Sequence, residues 1–307
     1  MIVCDNGSTD GSVGHVLDWA AGRLDVLPQR KAMEFHVRPP VTKPIAVRAL
    51  DRAEAESGGE TAPETAPVVL ISNGANLGFA AGNNIGLRYA LARGFDFVWL
   101  LNADTVVPPG ALRPLVARMN NDPAIGMCGS MLCYYDAPEV IEEAGGCAYY
   151  PFLGMARRLK KDQPVNQAAD WRQVERSLGY VSGASCLVRG SFIREIGPMA
   201  EDYFLYGEEI DWATRAKGRY RLAFAPESIV FHKKGRSTGS KSYGERRSAS
   251  SAYYLWRARH RVTRRYYPYG MPALLSLGLL AAASHYARGE KRSAAAILRG
   301  VFNRASR

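Results

Sequence analysis

Six side chains in this sequence have the type and setting to do chemistry: Asp5, Asp104, Glu208, Glu209, Asp211 and His232. Asp5 ends the apolar run 1–4, and Asp104 lies just past 97–101, the most apolar run in the chain. Glu208, Glu209 and Asp211 follow the aromatic segment 203–207. Acids at the C-terminal ends of parallel strands converge on one crevice, where they can hold a divalent cation and deprotonate a hydroxyl. Each group also has a plainer reading. Asp5-Asn6-Gly7 suits a turn, and Asp104 suits the cap of a helix over 108–120. The acids at 208–211 suit a helix start, where they complement the dipole. A lone His232 suits a hydrogen-bonded structural histidine.

The elements that must position these groups alternate as strand, loop and helix. Apolar β-favouring runs at 1–4, 68–71 and 97–101 read as strands, and 12–21, 85–93 and 109–120 read as helices. That alternation predicts an α/β fold with a mostly parallel sheet and ligand loops at the strand ends. The unbroken run 97–101 predicts a strand buried on both faces. Further strand-like runs stand at 125–132 and 184–188. Residues 28–67 lose the pattern and become rich in Pro, Gly, Ala and Glu, which predicts a largely disordered surface insertion. Residues 149–176 are polar and poorly patterned, a candidate cover for a substrate.

Six motifs then occur in a fixed order. Asp5-Asn6-Gly7-Ser8-Thr9-Asp10-Gly11-Ser12 resembles the DNGSTDGS loop of family 2 glycosyltransferases, and 76–84 is similar to their NLGFAGGNN loop. Leu101-Asn102-Ala103-Asp104-Thr105 resembles LNPDT, the rhamnosyltransferase-like version of the DxD metal motif. Residues 182–189 resemble SGAxxLxR, 204–212 resemble FLYGEDxDW, and Pro226-Glu227 with His232 resembles the closing PE…H.

The resemblance implies a GT-A fold, a nucleotide-diphosphate-sugar donor, Mg2+ or Mn2+, and inverting transfer of rhamnose or a related sugar in cell-surface glycan synthesis. It implies that Asp5 receives the nucleotide base, with Ser8 and Asp10 shaping that loop and Asn76, Gly78 and Asn83 lining the donor site. Asp104 would ligate the metal that bridges the diphosphate, with His232 completing the site. Glu209 would be the general base, and Glu208 and Asp211 would support it or hold the acceptor. The family's opening strand and helix have no counterpart before the DNGSTDGS loop. A sheet without that internal strand has two unpaired ladders. A truncated, inactive remnant is therefore the alternative reading.

Charge divides the chain. Residues 233–307 carry 17 Lys and Arg against two acids, Glu245 and Glu290, whereas residues 1–232 carry 23 bases against 27 acids. The basic stretch contains a helix-like segment 251–267 and the apolar run 271–284, which is short of the ~20 residues that span a bilayer. Arginines flank the run. This predicts an in-plane helix on an anionic membrane surface, the other reading being a core helix packed on the catalytic domain. Nucleic-acid binding is a second alternative for the tail. No helix-turn-helix, RRM or zinc pattern accompanies the charge, so nucleic acid is not the expected partner. Five cysteines without CxxC spacing argue against a disulfide framework.

The expectation is thus a GT-A domain over 1–235 and a basic, membrane-associating helical extension over 236–307. It would act peripherally at the cytoplasmic face of the inner or plasma membrane, on a lipid-linked or polysaccharide acceptor.

Overall fold

The computed structural model describes residues 1–59, 66–166, 170–233 and 248–303. Its strands are β1 (Ile2–Asp5), β2 (Val47–Asp51), β3 (Val68–Ser72), β4 (Phe97–Leu101), β5 (Thr105–Val106), β6 (Ile125–Tyr134), β7 (Ala137–Ala144), β8 (Gly146–Tyr150), β9 (Met155–Arg158), β10 (Tyr180–Val181), β11 (Ser185–Arg189) and β12 (Arg221–His232). Its helices are α1 (Ser12–Ala20), α2 (Arg52–Glu56), α3 (Gly78–Ala92), α4 (Leu112–Asn120), α5 (Trp171–Ser177), α6 (Gly190–Ile196), α7 (Glu208–Ala216), α8 (Ala249–Tyr266), α9 (Met271–Ala287) and α10 (Lys291–Val301).

The helix α3 organises the α/β body. Its Ile85 and Tyr89 pack with Ile2, Cys4, Val69 and Ile71, while its Ala80 and Leu87 join Leu100, Met127 and Val188. These two faces serve two sheets. One is wholly parallel, in the order β1–β3–β2, and the other has the order β4–β11–β6–β12–β5 with β7 on β6. In the second sheet β4, β6 and β12 share one direction, and β11 runs against them. A small antiparallel sheet, β10–β8–β9, stands apart.

The strands β1 and β4 each end their sheet, although the run 97–101 reads as a strand buried on both faces. This corrects the expectation for β4. Phe97, Val98 and Trp99 are half-buried and Leu101 is exposed, because one edge of the strand lacks a neighbour among the described residues.

The expected disordered insertion over 28–67 is also corrected. Val47–Asp51 pairs in parallel with β3. Asp51 then caps α2 in a reciprocal pair: its carboxylate accepts from Glu54 N at 2.8 Å, and Glu54 accepts from Asp51 N at 2.7 Å. Met33 is buried against Val106, Met131 and Phe231. Burial of Leu50, Ala55 and Met33 offsets the entropy of ordering a Pro- and Gly-rich segment. The low-complexity residues 60–65 and the expected domain border near 235 lie outside the described residues.

The C-terminal helices form a unit of their own, with Trp256, Leu274, Ala282, Ile297 and Val301 at its centre. That unit is not an appendage. Its first helix, α8, joins the body through Ala258 and Val262, which pack with Tyr203, Tyr206 and Ile210. One face of α9 packs inward through Leu274, Gly278 and Ala282, and the other, with Leu279 and Leu280, faces outward.

Candidate active site

The site is built from loops at the C-terminal ends of β1, β3, β4 and β12. Asn6 ties the first two together. Its side-chain amide donates to Asn76 Oδ1 at 3.2 Å and to the Gly78 carbonyl at 3.0 Å, and its Oδ1 accepts from Leu77 N at 3.2 Å. The motif at 76–84 is therefore not a free turn, because α3 begins at Gly78 and the motif forms its first turns. Gly78 has φ +84°, and a Cβ there would stand 2.4 Å from the Phe204 carbonyl oxygen. Only glycine allows that approach. It lets Phe79 N donate to the same oxygen at 2.7 Å, joining α3 to the loop before α7.

That loop holds two non-glycine residues in left-handed conformation, Phe204 and Tyr206, each at φ 66°. Such positions cost on the order of 1–3 kcal/mol and persist where neighbours over-determine them. The basic tail supplies the neighbours. Phe204 stacks on Tyr254 with centroids 4.8 Å apart, and the Tyr206 hydroxyl lies 2.8 Å from Ser251 Oγ.

Glu208 and Glu209 open α7. Glu209 is half-buried, and its Oε1 accepts from Gly183 N at 3.3 Å. A Cβ at Gly183 would lie 2.7 Å from that oxygen and 2.9 Å from Phe79 Cζ, so the SGA motif is the seat on which the carboxylate rests. Glu208 is buried, and its Oε2 has no hydrogen-bond partner among the described residues. Burial pushes the Glu208 carboxyl well above the usual carboxylate range, with the adjacent Glu209 adding to the shift. Burial raises Glu209 as well, opposed by backbone N–H groups including that of Gly183.

Asp104 and His232 come together as expected, with Nε2 3.2 Å from Asp104 Oδ1. Asp104 does not cap a helix: α4 starts at Leu112 behind Ala111. The other ring nitrogen, Nδ1, lies 2.9 Å from Glu142 Oε2. Burial works against the His232 cation, but hydrogen bonds to Asp104 and Glu142 outweigh it and lift its pKa to about 9. Among the described residues no group of three or more His, Cys, Asp and Glu surrounds a single point. Asp104 still fits a divalent ion of the Mg2+ kind, which is held through one or two carboxylates and completes its shell with phosphate oxygens and water; His232 Nε2 would join it only when deprotonated.

The remaining expected residues separate. Asp5 accepts from Ser8 N at 3.2 Å, and Asp10 accepts from Ser12 N at 3.1 Å and Ser12 Oγ at 2.6 Å. They shape an exposed loop beside Asn6. Asn76 accepts from Gly78 N at 3.1 Å, and Asn83 donates to the Phe79 carbonyl at 2.8 Å. Each of these side chains has one polar atom in local structure, Oδ1 of Asn76 and Nδ2 of Asn83.

Asp211 is a correction. Its carboxylate is fully buried and taken by Arg215 at 2.7 Å, Tyr266 at 2.7 Å, Arg265 at 3.1 Å and Tyr203 at 3.2 Å. It anchors α8 and has no oxygen left for an acceptor. The sequence reading also passed over Asn6, Asn84 and Glu142. Asn84 is buried, donates to the Met199 carbonyl at 2.9 Å and to Glu201 at 2.8 Å, and accepts from Met199 N at 3.1 Å. A polar residue inside an otherwise apolar helix face was its one signal.

Loops at strand C-termini, one acid facing a histidine and a second acid raised by burial form a candidate site on an α/β fold. Residues 56–197 match the family described as Glycosyl transferase family 2. The N-acetylglucosaminyl-diphospho-decaprenol L-rhamnosyltransferase of two Mycobacterium tuberculosis strains is 28% identical over 221 residues, covering 64% of this chain and 69% of that protein. Over residues 56–197 the chain is similar to family 2 glycosyltransferases, and over a longer stretch to rhamnosyltransferases. Two solved structures are more distant. GalNAc-T7 with UDP, GalNAc and Mn2+ gives a TM-score of 0.43 at 16% identity, covering 62% of this chain and 36% of that one. The mannosyltransferase PcManGT of Pyrobaculum calidifontis, with GDP-Man and Mn2+, gives 0.45 at 16%, covering 98% and 76%.

Proposed function

We propose that the protein transfers rhamnose or a related sugar from a nucleoside-diphosphate-sugar to a lipid-linked acceptor, with inversion at the anomeric carbon, in cell-surface glycan synthesis. The observation that carries this reading is Glu209. It is a half-buried carboxylate with raised proton affinity, seated on Gly183 N in the row of loops that also holds Asp104. A base whose pKa has moved toward the working pH takes a hydroxyl proton more effectively. Glu209 would accept the proton of the acceptor hydroxyl as its oxygen bonds to the anomeric carbon and the bond to the diphosphate breaks. Glu208, buried and held toward its neutral form, would keep a second negative charge out of the acceptor side.

On the donor side, the loop of Asp5, Ser8 and Asp10 would face the base and ribose, and Asp104 with His232 would hold Mg2+ or Mn2+. A divalent ion there supplies neutralisation of the charge that builds on the departing diphosphate. In Glu209→Gln, transfer to acceptor is expected to disappear while donor binding by calorimetry stays within a few-fold of wild type. Normal turnover in that variant would refute the base assignment.

The acceptor side has a membrane reading. Among the described residues no helix is long and apolar enough to cross a membrane. The α9 helix nevertheless turns Leu279, Leu280 and Tyr286 outward at 49%, 67% and 63% exposure, beside exposed Arg288, Lys291 and Arg292. An apolar strip edged by cations suits the interface of an anionic leaflet, here the cytoplasmic face. Leu279→Asp with Leu280→Asp should reduce co-sedimentation with phosphatidylglycerol vesicles by at least about tenfold, since each buried leucine contributes ~1.5–3 kcal/mol. Unchanged sedimentation of the double variant would remove α9 from the membrane surface.

A further inference from the structure

Behind the Asp104–His232 pair lies a buried charge layer that the proposed reaction does not use. Glu142 and Glu143 are consecutive residues of β7, 2% and 5% exposed. Arg158 of β9 reaches both, with Nη1 3.2 Å from Glu142 Oε1 and Nε 3.4 Å from Glu143 Oε2. The second oxygen of Glu142 is the one 2.9 Å from His232 Nδ1. Burying two carboxylates is costly unless geometry and ion pairing, here to the half-buried Arg158, compensate. A layer of this kind at a site's back wall calls for a use.

We propose that Glu142 is the positioning residue that aims His232, and that Arg158 fixes Glu142. The reasoning rests on hydrogen-bond inventory. A carboxylate paired with a guanidinium accepts and does not donate, so Nδ1 of His232 must be the donor to Glu142. The ring then presents Nε2 to the other side, toward Asp104 at 3.2 Å. A histidine that ligates metal through one nitrogen is ordinarily oriented by a carboxylate on the other, and loss of such a partner costs roughly 10–100-fold in metal affinity. Without Glu142, rotation about χ2 would leave Nε2 free to turn from Asp104. The elements support this division: His232 ends β12 and Glu142 sits on β7, and both strands flank β6. The imidazole is thus held from behind by the sheet itself, while Asp104 approaches from the loop after β4.

The inference rests on the metal reading of Asp104 and His232 for its consequence, but its geometry can be tested without metal. In the full chain treated with EDTA, the His232 Nδ1–H should give a slowly exchanging low-field proton resonance, assigned by its loss in His232→Gln. That resonance should vanish in Glu142→Ala and survive in Glu142→Gln, whose amide oxygen can still accept. Mn2+ titration followed by electron paramagnetic resonance should show roughly 10–100-fold weaker binding in Glu142→Ala and rescue to within a few-fold in Glu142→Gln. Should the alanine variant fail to fold, Arg158→Met provides the second arm, with the resonance broadened and Mn2+ affinity reduced. A resonance unchanged in Glu142→Ala would overturn the proposal, as would its loss with Mn2+ affinity intact. Absence of Mn2+ binding by the wild-type chain would instead refute the metal reading, and the proton resonance would still decide the role of Glu142.

Discussion

Asp104 faces an imidazole that is backed by Glu142 and, through it, by Arg158. Glu209 rests on backbone N–H groups, that of Gly183 among them, and stands beside Glu208. The two acids belong to one row of loops, yet their surroundings are opposite in charge. The first is matched by a cationic partner on a rigid sheet, which keeps the carboxylate ionised. The second is deprived of cations and partly desolvated, which raises its affinity for a proton. Two carboxylates driven apart by environment is how one site separates charge stabilisation from proton transfer. The difference arises from strand against helix start: β12 and β7 bring charged partners together across the sheet, while the first turn of α7 offers mainly backbone.

The comparison can be broken at either end. Glu209→Gln should show the largest effect, a fall of at least about 10³-fold in kcat, read by acceptor transfer under donor saturation. Asp211→Asn should cost about 3 kcal/mol in urea unfolding, because Arg215 and Arg265 would keep buried charge without its partner. It should act through stability and the seating of α8, so residual activity per folded molecule would remain. Loss of activity without loss of stability would return Asp211 to the catalytic group. Asp104→Asn should weaken Mn2+-dependent donor binding by roughly 100-fold while leaving metal-free donor binding unchanged.

The smallest effect is expected in the pH dependence of metal-free stability, and it separates the two poles. His232, raised from 6.5 to about 9, contributes stability that is complete below pH 6.5 and lost as pH rises through about 9. Glu208 and Glu209, raised above 4.5, contribute stability complete below pH 4.5 and lost as pH rises through their elevated values. With EDTA present, Tm should therefore decline from pH 5 to pH 9. Glu209→Gln and His232→Gln should each make that decline shallower, His232→Gln by removing the loss that ends near pH 9. A Tm that rises across this range would contradict both assignments.

Much of the scaffold was legible because its signals are local. The apolar run at 68–71, the polar loop at 5–12 and the helix-like stretch at 109–120 each contain their own strand, turn or helix pattern, and each element appeared within a few residues of its expected place. The motif at 76–84 was legible as a site loop but not as helix, since its glycines and asparagines favour turns in isolation. Contacts with Asn6 and Phe204 override that preference. The segment 28–67 was misread for a related reason. Composition reports the entropy a chain must lose, and says nothing of a waiting edge on β3 that takes Val47–Asp51.

The sequence alone determined the chemistry present and its order: which acids end which strands, which loops contain the glycines that allow close approach, and that the positive charge collects at one end. Those are properties of neighbours along the chain. Only the tertiary structure decided how each acid is used. Glu208, Glu209 and Asp211 are nearly adjacent in sequence, and side-chain direction on one helical turn sends one to solvent-accessible space, one into apolar surroundings and one to Arg215 and Arg265. Likewise Asp104, Glu142 and His232 are scattered over the chain, and sheet pairing brings them within hydrogen-bonding distance. Proton affinity and ion pairing depend on distances through space, which a one-dimensional pattern does not contain.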